Sequence, residues 1–281
     1  MLGVAFSANI GGIGTPIGSP PNAVAFGALN AAGYEVSFLR WMLVTVPLVV
    51  VLLVFAGLLL YALHRPRGGV PAVSVEPGRL TRESWVTMGV LLVTVGLWLT
   101  GEWHGLSAGA VALVSAAGLT AFGVLDRGDV DSIDWNILIL MWGGLSLSDA
   151  MRETGLGDAI AGLDVAGIAG GGLMIALVVS VAGAGVSTFM SNTATAGLVV
   201  PMALALSVSH VEQYAMLAAL SCSFAMAMPV STPPNAIAYG SGRVPVGLMI
   251  RSGVLVTIGS IAIVLAGYKV MLPLIFGSAG G

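Results

Sequence analysis

Polar side chains suited to binding a small ion lie inside one of the most apolar parts of the sequence. Ser187, Ser191, Asn192 and Thr193 belong to residues 165–211, which contain no Asp, Glu, Lys or Arg. Hydroxyl and amide groups are costly to bury without partners. Their oxygens can coordinate a hard cation such as sodium, and N–H groups at the start of a following helix can bind a carboxylate or sulfate. With no basic residue nearby, helix dipoles, hydroxyls and co-bound cations would have to neutralise such an anion.

A second polar motif, Pro-Pro-Asn, occurs twice in apolar surroundings. Residues 16–27 align with residues 229–240 at an offset of 213 positions, and seven of the twelve positions are identical. We interpret this match as an internal repeat. Proline removes a backbone donor and clashes with the preceding turn. Each copy therefore predicts a helix broken in mid-membrane, with unwound carbonyl and amide groups that need partners.

The composition identifies the elements that must position these groups as membrane helices. The chain has 281 residues, of which 57% are hydrophobic and 8% are charged, and its mean hydropathy is +1.00. These values are typical of an integral membrane protein and exclude an ordinary soluble enzyme. A net charge of -3 without a basic run disfavours nucleic-acid binding. The single cysteine, Cys222, excludes an intrachain disulfide and a multi-cysteine metal site.

Charge-free stretches predict the membrane segments, because a charge in hydrocarbon is expensive. Segment 165–208 is too long for one span and has a small, polar middle at 183–195, so we expect a re-entrant helical hairpin. Seven basic residues then fall on one side and three on the other, which places the loop at 64–83 in the cytoplasm and the C-terminus outside. The predicted segments are 1–31, 41–63, 84–101, 105–125, 135–150, 165–208, 213–242 and 247–275.

This topology runs the two Pro-Pro-Asn segments through the membrane in opposite directions. Inverted repeats with paired, proline-interrupted segments are the sequence pattern of secondary transporters that bind substrate near the bilayer midplane. The sequence therefore predicts a multi-pass transporter rather than an enzyme, acting on a small anion together with a cation.

The motifs also resemble those of a known family. Ser191-Asn192-Thr193, the later Thr232-Pro233-Pro234-Asn235 and the earlier Ser19-Pro20-Pro21-Asn22 are similar to the motifs of the divalent anion:sodium symporters, which carry dicarboxylates, citrate or sulfate. The resemblance covers essentially the whole chain, as the later two-thirds of a family member. It implies an all-α, inverted-repeat, elevator-type protein of the plasma or inner membrane, a homodimer when full length. Sodium would be the coupling ion, and no other cofactor is implied.

The resemblance also implies roles for individual residues. The residues implied to lie at or near the substrate are Asn192, Thr193, Ser19, Thr232 and Pro233. Those implied to bind sodium are Ser187, Ser191, Asn192, the carbonyl of Ser231 and the carbonyl of Gly18.

The same resemblance divides the chain into expected domains. The transport domain would comprise the first broken helix at 1–31 and residues 135–246, including the hairpin 165–208 and the second broken helix 213–242. Scaffold helices would occupy 32–134, with the cytoplasmic linker 64–83, and 247–281. Subtracting the repeat offset from Ser191 gives position -22, so a first Ser-Asn-Thr tip would precede Met1. We therefore expect an N-terminally incomplete chain that does not transport alone.

Other interpretations remain open at the level of sequence. One is a related citrate–metal or arsenite-type permease, which sodium dependence and substrate competition would distinguish. Another is a membrane subunit that needs a second chain to supply the missing half. An intramembrane enzyme would have to use Ser191 with His210, or Asp149 with Asp158, and no catalytic signature accompanies either pair.

Overall fold

The structure is a computed structural model, and all the regular secondary structure in the part of the chain that it describes is helical. It describes residues 1–65, 80–133, 171–206 and 208–272, with isolated positions between 135 and 155 and residue 274. No strand occurs in these ranges, as the sequence predicted. The chain divides into two compact units, residues 1–36, 40–65 and 136–281 in the first and residues 37–39 and 66–135 in the second.

The helices follow the apolar segments closely. The first segment gives α1 (Leu2–Gly12) and α2 (Pro20–Ala31), and the next three segments give α3 (Phe38–His64), α4 (Arg82–Leu99) with the short α5 (Gly101–His104), and α6 (Ala108–Ala121), followed by α7 (Arg127–Asp131). The later elements are α8 (Gly172–Phe189), α9 (Asn192–Leu204), α10 (Val211–Cys222), a 3-10 turn (Pro229–Ser231), α11 (Pro233–Gly240) and α12 (Val246–Met271). Among the described residues, α3, α8 and α12 are long and apolar enough to cross a membrane.

Both predicted helix breaks are present. The first separates α1 from α2, and the second separates α10 from α11. The residue before each Pro-Pro pair is extended and occupies the N-cap position of the following helix, with φ/ψ of -145°/149° at Ser19 and -145°/151° at Thr232. A residue that precedes proline is driven out of the helical region, whereas proline itself suits the first helical turn. The same dipeptide therefore ends one unwound segment and starts one helix in each copy.

The segment predicted to be a re-entrant hairpin consists of two helices that contact each other, α8 and α9. Only Met190 and Ser191 lie between them. Met190 is extended and Ser191 is the N-cap of α9, so the chain reverses at this point. The predicted residues 165–170 of this segment lie outside the described residues.

The long helix that follows each broken helix packs against the unwound backbone. In α3, Trp41 Nε1 donates to the Ile13 carbonyl at 3.2 Å and Thr45 Oγ1 donates to the Gly14 carbonyl at 3.0 Å. In α12, Thr257 Oγ1 donates to the carbonyl of Phe224. These donors satisfy backbone oxygens that each break removes from a helix.

The second unit is built around α4 and α6, which pack together. Thr94 and Ser115 share a hydroxyl hydrogen bond of 2.6 Å between these helices, and Trp98 Nε1 donates to the Ala108 carbonyl at 3.1 Å. Phe38 stacks on Trp98 with ring centroids 4.9 Å apart. These contacts order the pair without any buried charge.

Part of the predicted organisation lies beyond the described residues. Most of the linker 64–83 and of the segment 135–150 falls outside them. The grouping by contacts places α12 and nearly all of α3 in the same unit as the broken helices. The assignment of elements to transport and scaffold domains stays a prediction.

Candidate functional site: a hairpin tip beside two helix breaks

The tip of the α8–α9 hairpin is organised by its own hydroxyl and amide groups. Ser191 Oγ accepts a hydrogen bond from the backbone N–H of Ala194 at 3.1 Å, which is a serine N-cap. Ser187, in the last turn of α8, is fully buried, and its Oγ donates to Asn192 Oδ1 at 2.6 Å. The amide oxygen of Asn192 is thereby held at the start of α9, where the positive end of the helix dipole lies.

The tip lies against the second break. A Cβ at Gly183 would be 2.9 Å from the Ala218 carbonyl oxygen and 3.4 Å from Ser221 Cβ, so α8 packs directly on the backbone of α10 just before the break. Helix α8 also contacts the 3-10 turn of the break, and α9 contacts both α10 and α2. The hairpin therefore touches both broken helices.

The second break is fixed by the asparagine of its Pro-Pro-Asn motif. Asn235 is fully buried, and its Nδ2 donates to the Met228 carbonyl and to Ser231 Oγ, each at 3.1 Å. Ser231 Oγ also lies 2.7 Å from the carbonyl oxygens of Ala225 and Met228. The backbone N–H of Asn235 donates to Thr232 Oγ1 at 3.3 Å, which caps α11.

The first break repeats this arrangement, but its asparagine donates only to backbone carbonyls among the described residues. Asn22 is fully buried, and its Nδ2 donates to the Thr15 carbonyl at 2.8 Å and to the carbonyls of Gly12 at 3.0 Å and Ile13 at 3.2 Å. A Cβ at Gly18 would overlap the Gly12 carbonyl oxygen, so the backbone of the break lies directly on the end of α1. Among the described residues, Asn22 Oδ1 has no hydrogen-bond partner.

The two breaks are thus equivalent in structure as well as in sequence. Thr15 and Met228 occupy equivalent repeat positions, and each carbonyl accepts from the motif asparagine seven residues later. Gly18 and Ser231 are also equivalent. The serine hydroxyl lies between the second asparagine and the Ala225 carbonyl, whereas the glycine lets the first asparagine reach the equivalent carbonyl directly.

The breaks also contact each other. Asn9, in the last turn but one of α1, donates from Nδ2 to Asn235 Oδ1 at 3.0 Å, and both side chains are buried. Ser19 Oγ lies 3.5 Å from Ser223 Oγ, which places the start of α2 beside the start of the second break. Polar groups from both repeats therefore meet in one region of the first unit.

The electrostatics of this region come from backbone and neutral side chains. The N-terminus of α9 supplies backbone N–H groups that lack helical partners, whereas α2 and α11 each begin with two prolines and present the positive end of the helix dipole with fewer free N–H groups. The sequence has no Lys or Arg before Arg40 or between Arg152 and Arg243. Such a site can bind an anion through helix N-termini and a cation through carbonyl, hydroxyl and amide oxygens.

Comparison with known proteins identifies the family. Residues 1–275 match the family model described as the sodium:sulfate symporter transmembrane region. The chain belongs to this sodium:sulfate symporter family. It is 31% identical over 312 residues to the sodium-dependent dicarboxylate transporter SdcS of Staphylococcus aureus strain USA300, a match that covers 99% of the chain and 59% of that protein.

Two further relatives show similar coverage. The SdcS protein of Staphylococcus saprophyticus is 29% identical over 308 residues, covering 99% of the chain and 59% of that protein. A protein described as an uncharacterized transporter from Haemophilus influenzae is 30% identical over 289 residues, covering 94% of the chain and 60% of that protein. The chain therefore spans somewhat less than two thirds of the length of these relatives. The family resemblance inferred from the motifs is confirmed.

The structure places the sequence-predicted site residues at the hairpin tip and at the two helix breaks. Ser187, Ser191, Asn192 and Thr193 lie at one tip. Ser231, Thr232 and Pro233 lie at the second break, and Gly18 and Ser19 lie at the first. Whether these residues bind sodium or substrate stays a prediction. Sequence reasoning assigned no role to Asn9, Asn22, Ser223 or Asn235, although the two motif asparagines were visible in the repeat.

The residue pairs considered for an intramembrane enzyme have other surroundings. Ser191 Oγ caps α9, and His210 Nδ1 lies 3.5 Å from Glu212 Oε1 with a side chain that is 65% exposed. Asp149 and Asp158 lie outside the described residues. The polar groups at the tip and at the breaks therefore remain the candidate site.

Proposed function

We propose that this chain is the later part of a sodium-coupled transporter that moves a small divalent anion, a dicarboxylate, citrate or sulfate, across the plasma membrane. The observation that carries the proposal is the hairpin tip, with its Ser187–Asn192 hydrogen bond, packed beside two helix breaks that supply free backbone groups and no basic side chain. An anion at this position needs co-bound cations for neutralisation, which would couple its transport to sodium. Membership of the family, and its relatives named as sodium-dependent dicarboxylate transporters, support the same assignment.

The roles of individual residues follow from the groups they present. We assign sodium binding at the second tip to oxygens of Ser187, Ser191, Asn192 and the Ser231 carbonyl, because sodium, like other hard cations, takes oxygen ligands. The Gly18 carbonyl belongs to a first sodium site at the first break. The substrate carboxylates or sulfate oxygens would meet Asn192 and Thr193, with Ser19, Thr232 and Pro233 at the helix N-termini nearby.

Helix pairing supports an inverted arrangement of the two repeats. Helix α1 contacts α11, and α2 contacts α10. The first half of each broken helix thus packs against the second half of the other, which is the pairing that antiparallel neighbours give. We propose on this basis that the repeats cross the membrane in opposite directions and that the protein works by an elevator-type movement. A homodimer is the assembly proposed for the full-length protein.

Burial on the two repeats supports a second, symmetry-related hairpin. On α10, Leu217 and Leu220 are fully buried where α8 and α9 cover the helix. Their repeat equivalents on α1, Val4 and Ser7, are exposed, Val4 by 73%. We propose that a hairpin equivalent to α8–α9, outside these 281 residues, covers this face of α1 and supplies the other half of the substrate site.

The experiment that tests the proposal measures sodium binding to the purified chain in detergent. Sodium chloride, titrated against choline chloride at constant ionic strength, is expected to raise the apparent melting temperature with a saturable midpoint. Asn192→Ala removes an amide oxygen from the site and is expected to abolish this response. Asn30→Ala, which alters an exposed asparagine on α2, is the matched control and should keep it.

Transport gives the second readout. Proteoliposomes that contain only this chain are expected to show no sodium-driven dicarboxylate uptake, because half of the substrate site would be missing. Robust uptake would contradict the proposed half-site. A melting temperature that responds equally to sodium and choline would contradict the sodium site itself.

A further inference from the structure

The bond between Asn9 and Asn235 is the one side chain–side chain hydrogen bond that joins an α1 residue to the second Pro-Pro-Asn motif among the described residues. Asn9 Nδ2 donates to Asn235 Oδ1 at 3.0 Å across 226 positions of sequence. Asn9 is 8% exposed and Asn235 is 0% exposed. A hydrogen bond between two buried amides is expensive to leave unmade, because each group has already lost its contact with water.

Asn235 connects the hydrogen bond from Asn9 to the backbone of the second break. With Oδ1 held by Asn9, its Nδ2 points at the Met228 carbonyl and at Ser231 Oγ. Ser231 Oγ in turn lies 2.7 Å from the Ala225 carbonyl. One chain of hydrogen bonds therefore runs from α1 through the motif asparagine to both ends of the unwound segment.

We propose that Asn9 is a positioning residue that ties the first repeat to the second through Asn235 and sets the affinity of the sodium site to which the Ser231 carbonyl contributes. The inference rests on the proposed function, since the Ser231 carbonyl is a sodium ligand only under that proposal. The side-chain amide of Asn235 can adopt two orientations that differ by a 180° rotation. The donor on Asn9 selects the orientation in which Nδ2 points towards the break. Without that donor the amide can turn over, and its oxygen would then face the Met228 carbonyl, which repels it.

The test uses two variants of Asn9 that remove its hydrogen-bond donor in different ways. Asn9→Leu keeps the volume and removes the polar group, and Asn9→Asp keeps the shape but has no donor when ionised. Both variants are expected to raise the sodium concentration at the midpoint of stabilisation by about threefold or more, which corresponds to the net free-energy contribution of one buried hydrogen bond. Asn30→Leu is the control, because Asn30 is exposed and donates only to nearby backbone carbonyls.

A double-mutant cycle separates positioning from general loss of stability. Asn9→Leu combined with Ser231→Ala should shift the sodium midpoint by less than the sum of the single shifts, because both act through Asn235. Asn9→Leu combined with Ser187→Ala should be additive, since Ser187 lies at the hairpin tip and shares no hydrogen-bond partner with Asn9. A merely structural asparagine would lower the melting temperature without sodium and leave the midpoint unchanged.

The outcomes distinguish the two proposals. Unchanged midpoints in both Asn9 variants, with a shifted midpoint in Ser187→Ala, overturn this inference and leave the proposed function standing. Additive behaviour of Asn9→Leu with Ser231→Ala also overturns it. No response of the unaltered chain to sodium overturns the proposed function and this inference with it.

Discussion

At the residue scale, the hydrogen bond from Ser187 to Asn192 makes a sharp prediction, because α8 contains a matched control. Ser180 and Ser187 are two turns apart on α8 and both are buried. Ser187 Oγ donates to Asn192 Oδ1, whereas Ser180 Oγ has no partner among the described residues. Removing a buried donor leaves its acceptor unsatisfied at a cost of about 1–3 kcal/mol, whereas removing an unpaired hydroxyl costs little.

We therefore expect Ser187→Ala to weaken sodium-induced stabilisation and Ser180→Ala to leave it unchanged or to raise the melting temperature. Sodium titration of both variants in detergent, at equal protein concentration, provides the measurement. Equal sodium midpoints for the two variants would show that the Ser187 hydroxyl does not shape the site.

The sequence was informative at this scale where a residue belonged to a repeated or unusually polar pattern. Asn192 stood out because it lies in a charge-free run, and the structure places it at a hairpin tip as predicted. Asn9 gave a weaker signal, a single amide in an apolar helix, and its partner lies 226 residues away. Periodicity and local spacing do not reveal a hydrogen bond between segments so distant in sequence.

At the element scale, the packing of α12 on the second break depends on a glycine. A Cβ at Gly253 would overlap the Met226 carbonyl and lie 2.6 Å from Ala227 Cα, and both neighbours are backbone atoms of the break. Gly247, on the same helix, is exposed and would have nothing within 4 Å of an added Cβ. Overpacking against backbone typically costs about 1–3 kcal/mol.

Gly253→Ala is accordingly expected to lower the apparent melting temperature and to weaken sodium-induced stabilisation, since it pushes on the backbone that precedes Ser231. Gly247→Ala should stay within about 0.5 kcal/mol of the unaltered chain, as surface substitutions usually do. Thermal unfolding of both variants in the same detergent measures the difference. If Gly253→Ala were as stable as Gly247→Ala, the break would not be packed as described.

The helix breaks were predictable because the physics of proline is local. A Pro-Pro pair forces the preceding residue into an extended conformation, and both copies show this at Ser19 and Thr232. The hydrogen bonds from α3 and α12 to the breaks were not predictable, since they depend on which face of a uniformly apolar helix contacts the unwound backbone. Thr45 and Thr257 look like ordinary membrane threonines until their carbonyl partners are known.

At the scale of the whole molecule, the sequence predicted the family and the two broken helices, whereas the division into transport and scaffold domains stays a prediction. Two copies of one motif at a fixed offset are a global signal, and the family match over residues 1–275 agrees with it. Domain membership depends on which faces of apolar helices pack together. The contacts group α12 and nearly all of α3 with the broken helices, and the family resemblance assigns these two helices to the scaffold.

The direction of each repeat through the membrane is the whole-molecule property on which the transporter assignment depends. The cross-pairing of α1 with α11 and of α2 with α10 supports opposite directions. From the distribution of basic residues we expect the residues after α2 to lie outside the cell and those after α11 to lie in the cytoplasm. The only cysteine, Cys222, is fully buried, so its replacement by alanine gives a background for accessibility measurements.

In that background, Ala32→Cys and Ser241→Cys each place one thiol at an exposed position just after the second half of a broken helix. A membrane-impermeant maleimide added to intact cells is expected to label Ala32→Cys and to spare Ser241→Cys, which should react only after the membrane is permeabilised. Labelling after denaturation in detergent controls for expression of both variants. Equal labelling from outside would mean that the two repeats run the same way. Helix N-termini and unwound carbonyls from the two halves would then not face one another, which would contradict the site proposed for an anion and sodium.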